Sequence, residues 1–162
     1  MADKLRFEFI AQERVVYAAD DVDMVIAPGQ NGSLGVLPRH APLMTIIVPG
    51  VLVVKKAGEE DRVFAVGGGF MEVRPDKVTL LARSGEAAEE IDTARAQEAR
   101  RRAEDFLAQN LSSPEMRNQL AQDRMASMEQ ALTRSKVRLK VAERRRRARP
   151  STPVPRKGGP EE

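Results

Sequence analysis

The chain predicts an all-β domain followed by an α-helical one: an N-terminal antiparallel β-sandwich or flattened barrel, a C-terminal antiparallel helical hairpin, and a basic tail. Three observations carry this. Nine of the eleven glycines and five of the six aromatics (Phe7, Phe9, Tyr17, Phe64, Phe70) lie at or before Gly85, and no further glycine occurs until Gly158. Turn-forming clusters recur at short intervals before Gly85 and stop there. After Glu86 the chain is built from Ala, Glu, Arg, Gln and Met, which are strong helix formers. The seam at Gly85–Glu86 divides the chain into 1–86, 87–143 and a Pro/Gly-containing tail over 144–162. Two such different modules point to bridging or switching rather than to a one-pocket enzyme.

Leu5, Phe7 and Phe9 alternate with Arg6 and Glu8, the signature of a strand with one buried face. Extended runs follow at 14–18, 22–27, 33–37, 44–48, 51–56, 62–66, 70–74 and 77–82. Turns are predicted between them at Pro28–Gly32, Pro49-Gly50, Gly58-Glu59, Gly67–Gly69 and Pro75-Asp76. Many short strands with no helix between them exclude a doubly wound sheet.

The first helix is predicted from about Ala88 to Gln109, with Ala96, Ala99, Ala103 and Phe106 on one face and Glu98–Arg102 as an exposed ion pair. Asn110 is expected to close it in a left-handed conformation. Ser112 and Glu115 have capping-box spacing for the second helix. Along that helix Ala121, Met125, Met128, Leu132, Ser135, Leu139 and Ala142 repeat at alternating spacings of four and three, a heptad-type seam. The short break between helices makes them an antiparallel hairpin. Its seam of alanines, methionines and one serine buries less apolar area than a leucine-rich one, so the hairpin is expected to be marginal alone and able to change partners. The tail composition predicts disorder.

Charge is divided unevenly. The first 85 residues hold ten Lys/Arg against eleven Asp/Glu, so the net charge of +3 comes from the second half, chiefly Arg144–Arg147. That run either binds nucleic acid or forms a solvated helix end whose cations offset the helix dipole. No aromatic interleaves with it, so base stacking is unsupported. There is no cysteine, and hence no disulfide or thiolate chemistry. The N-terminus lacks the apolar core of a signal peptide and no run reaches the length of a membrane span. A soluble, cytoplasmic chain is expected, with membrane association only through a partner.

Catalytic chemistry has little to build on. The glycine-rich segment around Gly29, Gly32 and Gly35 leads into Val36-Leu37-Pro38, not into the Lys-Ser/Thr pair and helix of a P-loop. The single histidine, His40, lies in a turn beside Arg39 without partners for base or metal chemistry, and reads as a surface or orienting residue.

Three separate motifs resemble one family. The string Gly32–Leu43 (GSLGVLPRHAPL), then Pro49-Gly50-Val51-Leu52, then Gly68–Val73 with Val78–Ala82, is similar to the epsilon subunit of bacterial F-type ATP synthase, and the module order agrees over roughly residues 5–143. The resemblance implies a sandwich of about ten strands seated against the gamma subunit and the membrane c-ring, with the loop of Ser33, His40 and Pro42 facing the ring. It implies a non-catalytic subunit of the central stalk, peripheral on the cytoplasmic face of the bacterial inner membrane. Its hairpin would reach the catalytic alpha and beta subunits and regulate ATP hydrolysis. No cofactor is required and no nucleic acid is expected as a partner, although a basic nucleic-acid-binding module is the alternative. Some members of the family bind ATP through a motif matched here by Ile91, Asp92, Arg95 and Ala96, with Arg134 and Arg138 on the second helix and Glu86 upstream. Arginines suit phosphate oxygens, and Arg134 and Arg138 share a helix face.

Overall fold

The alternation that begins at Leu5 is realised as β1 (Leu5–Ala11), whose Leu5, Phe7, Phe9 and Ala11 are buried. The computed structural model describes residues 3–12, 14–110 and 119–148, side chains of 119, 120 and 148 excepted. Seven more strands follow: β2 (Arg14–Val22), β3 (Met24–Gly29), β4 (Gly32–Val36), β5 (Leu43–Lys55), β6 (Arg62–Val73), β7 (Lys77–Ala82) and β8 (Gly85–Ala87). They pair in the order β2-β1-β7-β6-β5-β3-β4, with β8 added to β6. The ladders are antiparallel except β1–β7, which is parallel.

The sandwich arises because β5 and β6 serve both layers. Gly69–Val73 of β6 pairs with β7, whereas Phe64–Val66 pairs with β8 and with the half of β5 that joins β3. Phe9 of one layer meets Phe64 of the other edge-on, at 5.7 Å between centroids. Around them pack Phe7, Leu52, Met71, Val78 and Leu80.

Among the described residues eight strands stand where nine runs, or about ten by resemblance, are expected. The glycine run and Pro49-Gly50 bend their strands without ending them. Pro49 has no N–H to give and stands opposite Gly67. The Gly67 N–H donates instead to the Ser84 carbonyl (2.9 Å), and the Gly68 carbonyl accepts from the Arg83 N–H (2.9 Å). Gly68 takes φ +88°, open to glycine at little cost. The lost ladder bonds are thus replaced by the segment after β7, and the strand continues round the corner.

The hairpin consists of α1 (Thr93–Asn110) and α2 (Gln119–Ala148). The first helix starts five residues later than expected because Asp92 caps it: its Oδ1 accepts the Arg95 N–H at 3.0 Å. Asn110 does not turn left-handed; its Nδ2 donates to the Phe106 carbonyl at 2.7 Å. The expected Ser112–Glu115 cap lies outside the described residues. Arg144–Arg147 belong to α2 rather than to the tail, and the tail from 149 onward lies outside the described residues. The i,i+4 pair formed on α1 is Arg100–Glu104 (2.9 Å), not Glu98–Arg102.

Leu139 and Ala142 of the heptad seam line a groove with Thr93, Gln97 and Arg100 of α1, and Ser135, also of the seam, is buried and donates to the Leu132 carbonyl at 2.9 Å. A second apolar face went unpredicted. Val141, fully buried, and Val137 pack with Val51, Val63, Ala65, Ala88 and Ile91 on the outer side of the β5–β6 layer. The hairpin therefore lies docked on the sandwich.

Candidate functional site at the seam and on the free sheet face

Where α2 crosses the sandwich, the chemistry concentrates. Glu86 on β8 accepts a hydrogen bond from Arg138 Nε at 2.5 Å, with both side chains about one-third exposed. Seven residues further along α2, Arg145 stands 3.7 Å from Glu89. Arg14 reaches from β2 to the Gly85 carbonyl (3.3 Å) and Glu90 (3.5 Å). The Glu90 carboxylate also accepts the Ala87 N–H at 3.0 Å. That backbone bond, with the Arg14 guanidinium beside it, holds Glu90 below the usual carboxylate range, against the opposing effect of burial.

A small cavity of about 150 Å³ lies at this crossing, lined by Glu86, Arg134 and Arg138 together with Arg14 and Ser84. A larger cleft of about 630 Å³ adjoins it, and again includes Arg134 and Arg138. Of the seven residues matched to the nucleotide motif, the fold thus gathers Glu86, Arg134 and Arg138. Ile91, Asp92, Arg95 and Ala96 line neither cavity. Ile91 joins the apolar contact beneath the hairpin, Asp92 caps α1, Ala96 is buried, and the Arg95 side chain is exposed.

The predicted ring-facing residues separate as well. His40 and Pro42 lie in the loop after β4, where Arg39 adopts φ +64° and pairs with Asp3. The Arg39 N–H is held by the Pro75 carbonyl (2.8 Å), and His40 Nδ1 lies 2.8 Å from the Ala41 carbonyl oxygen. Ser33 sits beside the β3–β4 turn, exposed, at a groove it shares with Pro28, Lys140, Arg144 and Arg147.

The opposite face of the molecule carries a feature the sequence reading missed. Register aligns Val15, Ile10, Leu81, Phe70 and Ile46 in one row across β2, β1, β7, β6 and β5. They point away from the core, with Phe70 60 % and Val15 61 % exposed, and Met44 (72 %) stands nearby on β5. Their signal was present: each is an apolar residue in the outward phase of a strand whose inward phase is already apolar. Such a row of large side chains marks an interaction surface.

The comparisons agree with one another. Residues 4–88 match the model described as ATP synthase, Delta/Epsilon chain, beta-sandwich domain, and residues 89–143 match the long alpha-helix domain of the same chain type. An ATP synthase epsilon chain of Dehalococcoides mccartyi is 47 % identical over 144 residues, covering 89 % of this chain and 96 % of that protein. One from Herpetosiphon aurantiacus is 44 % identical over 142 residues, with 88 % and 96 % covered. Among solved structures, a chain of the Euglena gracilis mitochondrial ATP synthase (OSCP/F1/c-ring) superposes with a TM-score of 0.70 at 21 % identity, covering 88 % of this chain and 83 % of that one. At that identity the likeness concerns the fold.

Proposed function

Since both of its domains match models of one family, this chain belongs to the ATP synthase delta/epsilon family, and we propose that it acts as the epsilon subunit of the central stalk of an F-type ATP synthase. It is a non-catalytic subunit. Its work is mechanical: to join the c-ring to the gamma subunit and to present a movable arm to the catalytic alpha and beta subunits.

The observation that carries this reading is the apolar row Val15–Ile10–Leu81–Phe70–Ile46. The sandwich has two outer faces, and the hairpin covers one. The other offers an aromatic and several aliphatic side chains to a partner while the arm remains docked. We assign it to the stalk, with the loop of His40 and Pro42 and the turn beside Ser33 as contacts for the c-ring. Burying this row against gamma is worth roughly 25 cal/mol for each Å² removed from water. Association with the cytoplasmic face of the bacterial inner membrane follows through these partners; among the described residues no helix is long and apolar enough to cross a membrane.

Co-purification from reconstituted ATP synthase tests the assignment. Phe70→Asp combined with Leu81→Asp should abolish retention of this chain on a gamma–c-ring assembly, while the variant folds normally. Undiminished retention would remove the row as the docking face. Regulation is read separately: deleting residues 111–162 should raise ATP hydrolysis by the assembled enzyme, and unchanged hydrolysis would reduce the chain to a stalk adaptor.

ATP is the regulatory ligand proposed for the arm. A ligand that binds only the docked arm stabilises it by RT ln(1 + [L]/Kd), about 2.7 kcal/mol at a hundredfold excess over Kd. That suffices to move a near-balanced arm. The nucleic-acid alternative has no support: both family matches point elsewhere, and Arg145 and Arg147 are engaged by Glu89 and Glu143.

A further inference from the structure

The last turns of α2 run beside the turn that joins β3 to β4. Lys140, Arg144 and Arg147 are spaced four and three residues apart, which sets them along one side of the helix. They line a groove of about 510 Å³ together with Ser33, Pro28 and Val51 of the sandwich. Arg147 is engaged by Glu143 at 2.6 Å, whereas Lys140 and Arg144 form no ion pair among the described residues. Both are exposed, and like charges four apart on a helix repel unless an acid offsets them. Val141, which lies between them in sequence, is fully buried against the β5–β6 layer, so the docked arm holds both cations in place.

The sandwich side of the groove is apolar and closely packed. Pro28 pairs with Ser33 in the β3–β4 ladder, and a Cβ on Gly50 of β5 would stand 2.6 Å from Pro28 Cβ. A cationic rim above a fixed apolar floor suits a protein loop that carries an acidic side chain beside an apolar one. A flat lipid surface would leave that floor uncovered. Resting on the assignment of the Ser33 turn to the c-ring, we propose that the docked arm completes the ring-facing surface, with Lys140 and Arg144 receiving acidic side chains from a polar loop of the c-ring. Ring contact and arm docking are then linked. An arm that leaves the sandwich takes two ion pairs away from the ring, and the ring favours the docked arm by the same factor.

The chain has no cysteine, so single cysteines carrying a photoactivatable maleimide report contacts cleanly. In the gamma–c-ring assembly, Ser33→Cys and Arg144→Cys should both cross-link to the c subunit. Cross-linking from Ser33→Cys but not from Arg144→Cys would overturn the composite surface and leave the ring contact of the turn intact; cross-linking from neither would remove both. Lys140→Gln combined with Arg144→Gln should weaken affinity for the gamma–c-ring assembly by about fivefold or more and flatten its salt dependence, while affinity for gamma alone stays within about twofold. Hydrogen exchange of α2 in the isolated variant should match the native chain, which excludes an undocked arm as the cause. In the native chain α2 should exchange more slowly on the gamma–c-ring assembly than on gamma alone, and equal exchange would overturn the linkage. Rings in detergent, in neutral nanodiscs and in anionic nanodiscs identify the partner: the loss of affinity should be the same in all three. A loss confined to anionic nanodiscs would overturn the proposal in favour of lipid headgroups.

Discussion

Glu90 shows how one side chain fixes the junction of the two domains. Its carboxylate receives the Ala87 N–H and faces Arg14, so the turn entering α1 is pinned to β2. Because its folded pKa lies below the ordinary 4.5, the charged form is favoured by folding. The resulting stability is present above that ordinary value and is lost as pH falls through the lower folded value. Glu90→Gln should lower the urea midpoint at neutral pH, and the gap to the native chain should narrow as the pH falls below the ordinary carboxylate value. A pH-independent gap would mean that packing, not charge, holds the turn. Asp23 has the same sign for a different reason: Lys4 at 2.5 Å, then the Ala57 N–H, lower its pKa and tie the start of β3 to the β5–β6 turn. Asp92, matched to the nucleotide motif, has a structural task of its own: its Oδ1 satisfies an orphan N–H of α1.

Among the elements, β6 is the one on which both layers depend. At Gly69 a Cβ would stand 2.0 Å from the Leu81 carbonyl oxygen and 2.7 Å from the Ala82 Cα, which are backbone atoms that cannot swing aside. Gly69→Ala should therefore separate β6 from β7 and destabilise the sandwich by about 1–3 kcal/mol or more, read as a lower urea midpoint at unchanged slope. An unchanged midpoint would show that the strands part without cost. For α2 the decisive position is Val141, fully buried between Val63, Ala65 and Ala88. An unpaired carboxylate there costs several kcal/mol. Val141→Asp should speed exchange of α2 amides by about a hundredfold or more while β1, β6 and β7 keep their protection. Simultaneous loss of protection in the sandwich would contradict an independent arm.

At the scale of the whole molecule the two hydrophobic clusters are separate. The main core, from Leu5 to Leu80, lies wholly within the sandwich, and among the described residues only the small cluster around Val141 spans both domains. A fragment ending at Ala88 should thus unfold cooperatively, with a melting temperature within a few degrees of the sandwich transition in the full chain. Failure of the fragment to fold would make the hairpin part of the core. The distribution of surface agrees with this division: one sheet face is covered by the chain's own arm and the other, among the described residues, stays exposed. The proposed function uses this division, with a fixed partner on one side and an arm that exchanges contacts on the other.

Local chemistry settled much of this in advance. Alternation placed Leu5, Phe7 and Phe9 inside, glycine and aromatic content drew the seam at Gly85, and the heptad spacing marked Ser135, which is buried; each depends on neighbours a few residues away. Strand continuity through Gly67–Gly69 did not follow from the sequence, because the missing hydrogen bonds are supplied by Arg83 and Ser84 from another segment. Nor did the burial of Val141, the pairing of Glu86 with Arg138 across 52 positions, or the alignment of five outward apolar residues from five strands. Those are properties of register and docking, set only when distant segments meet, and they are the properties on which the proposed functions rest.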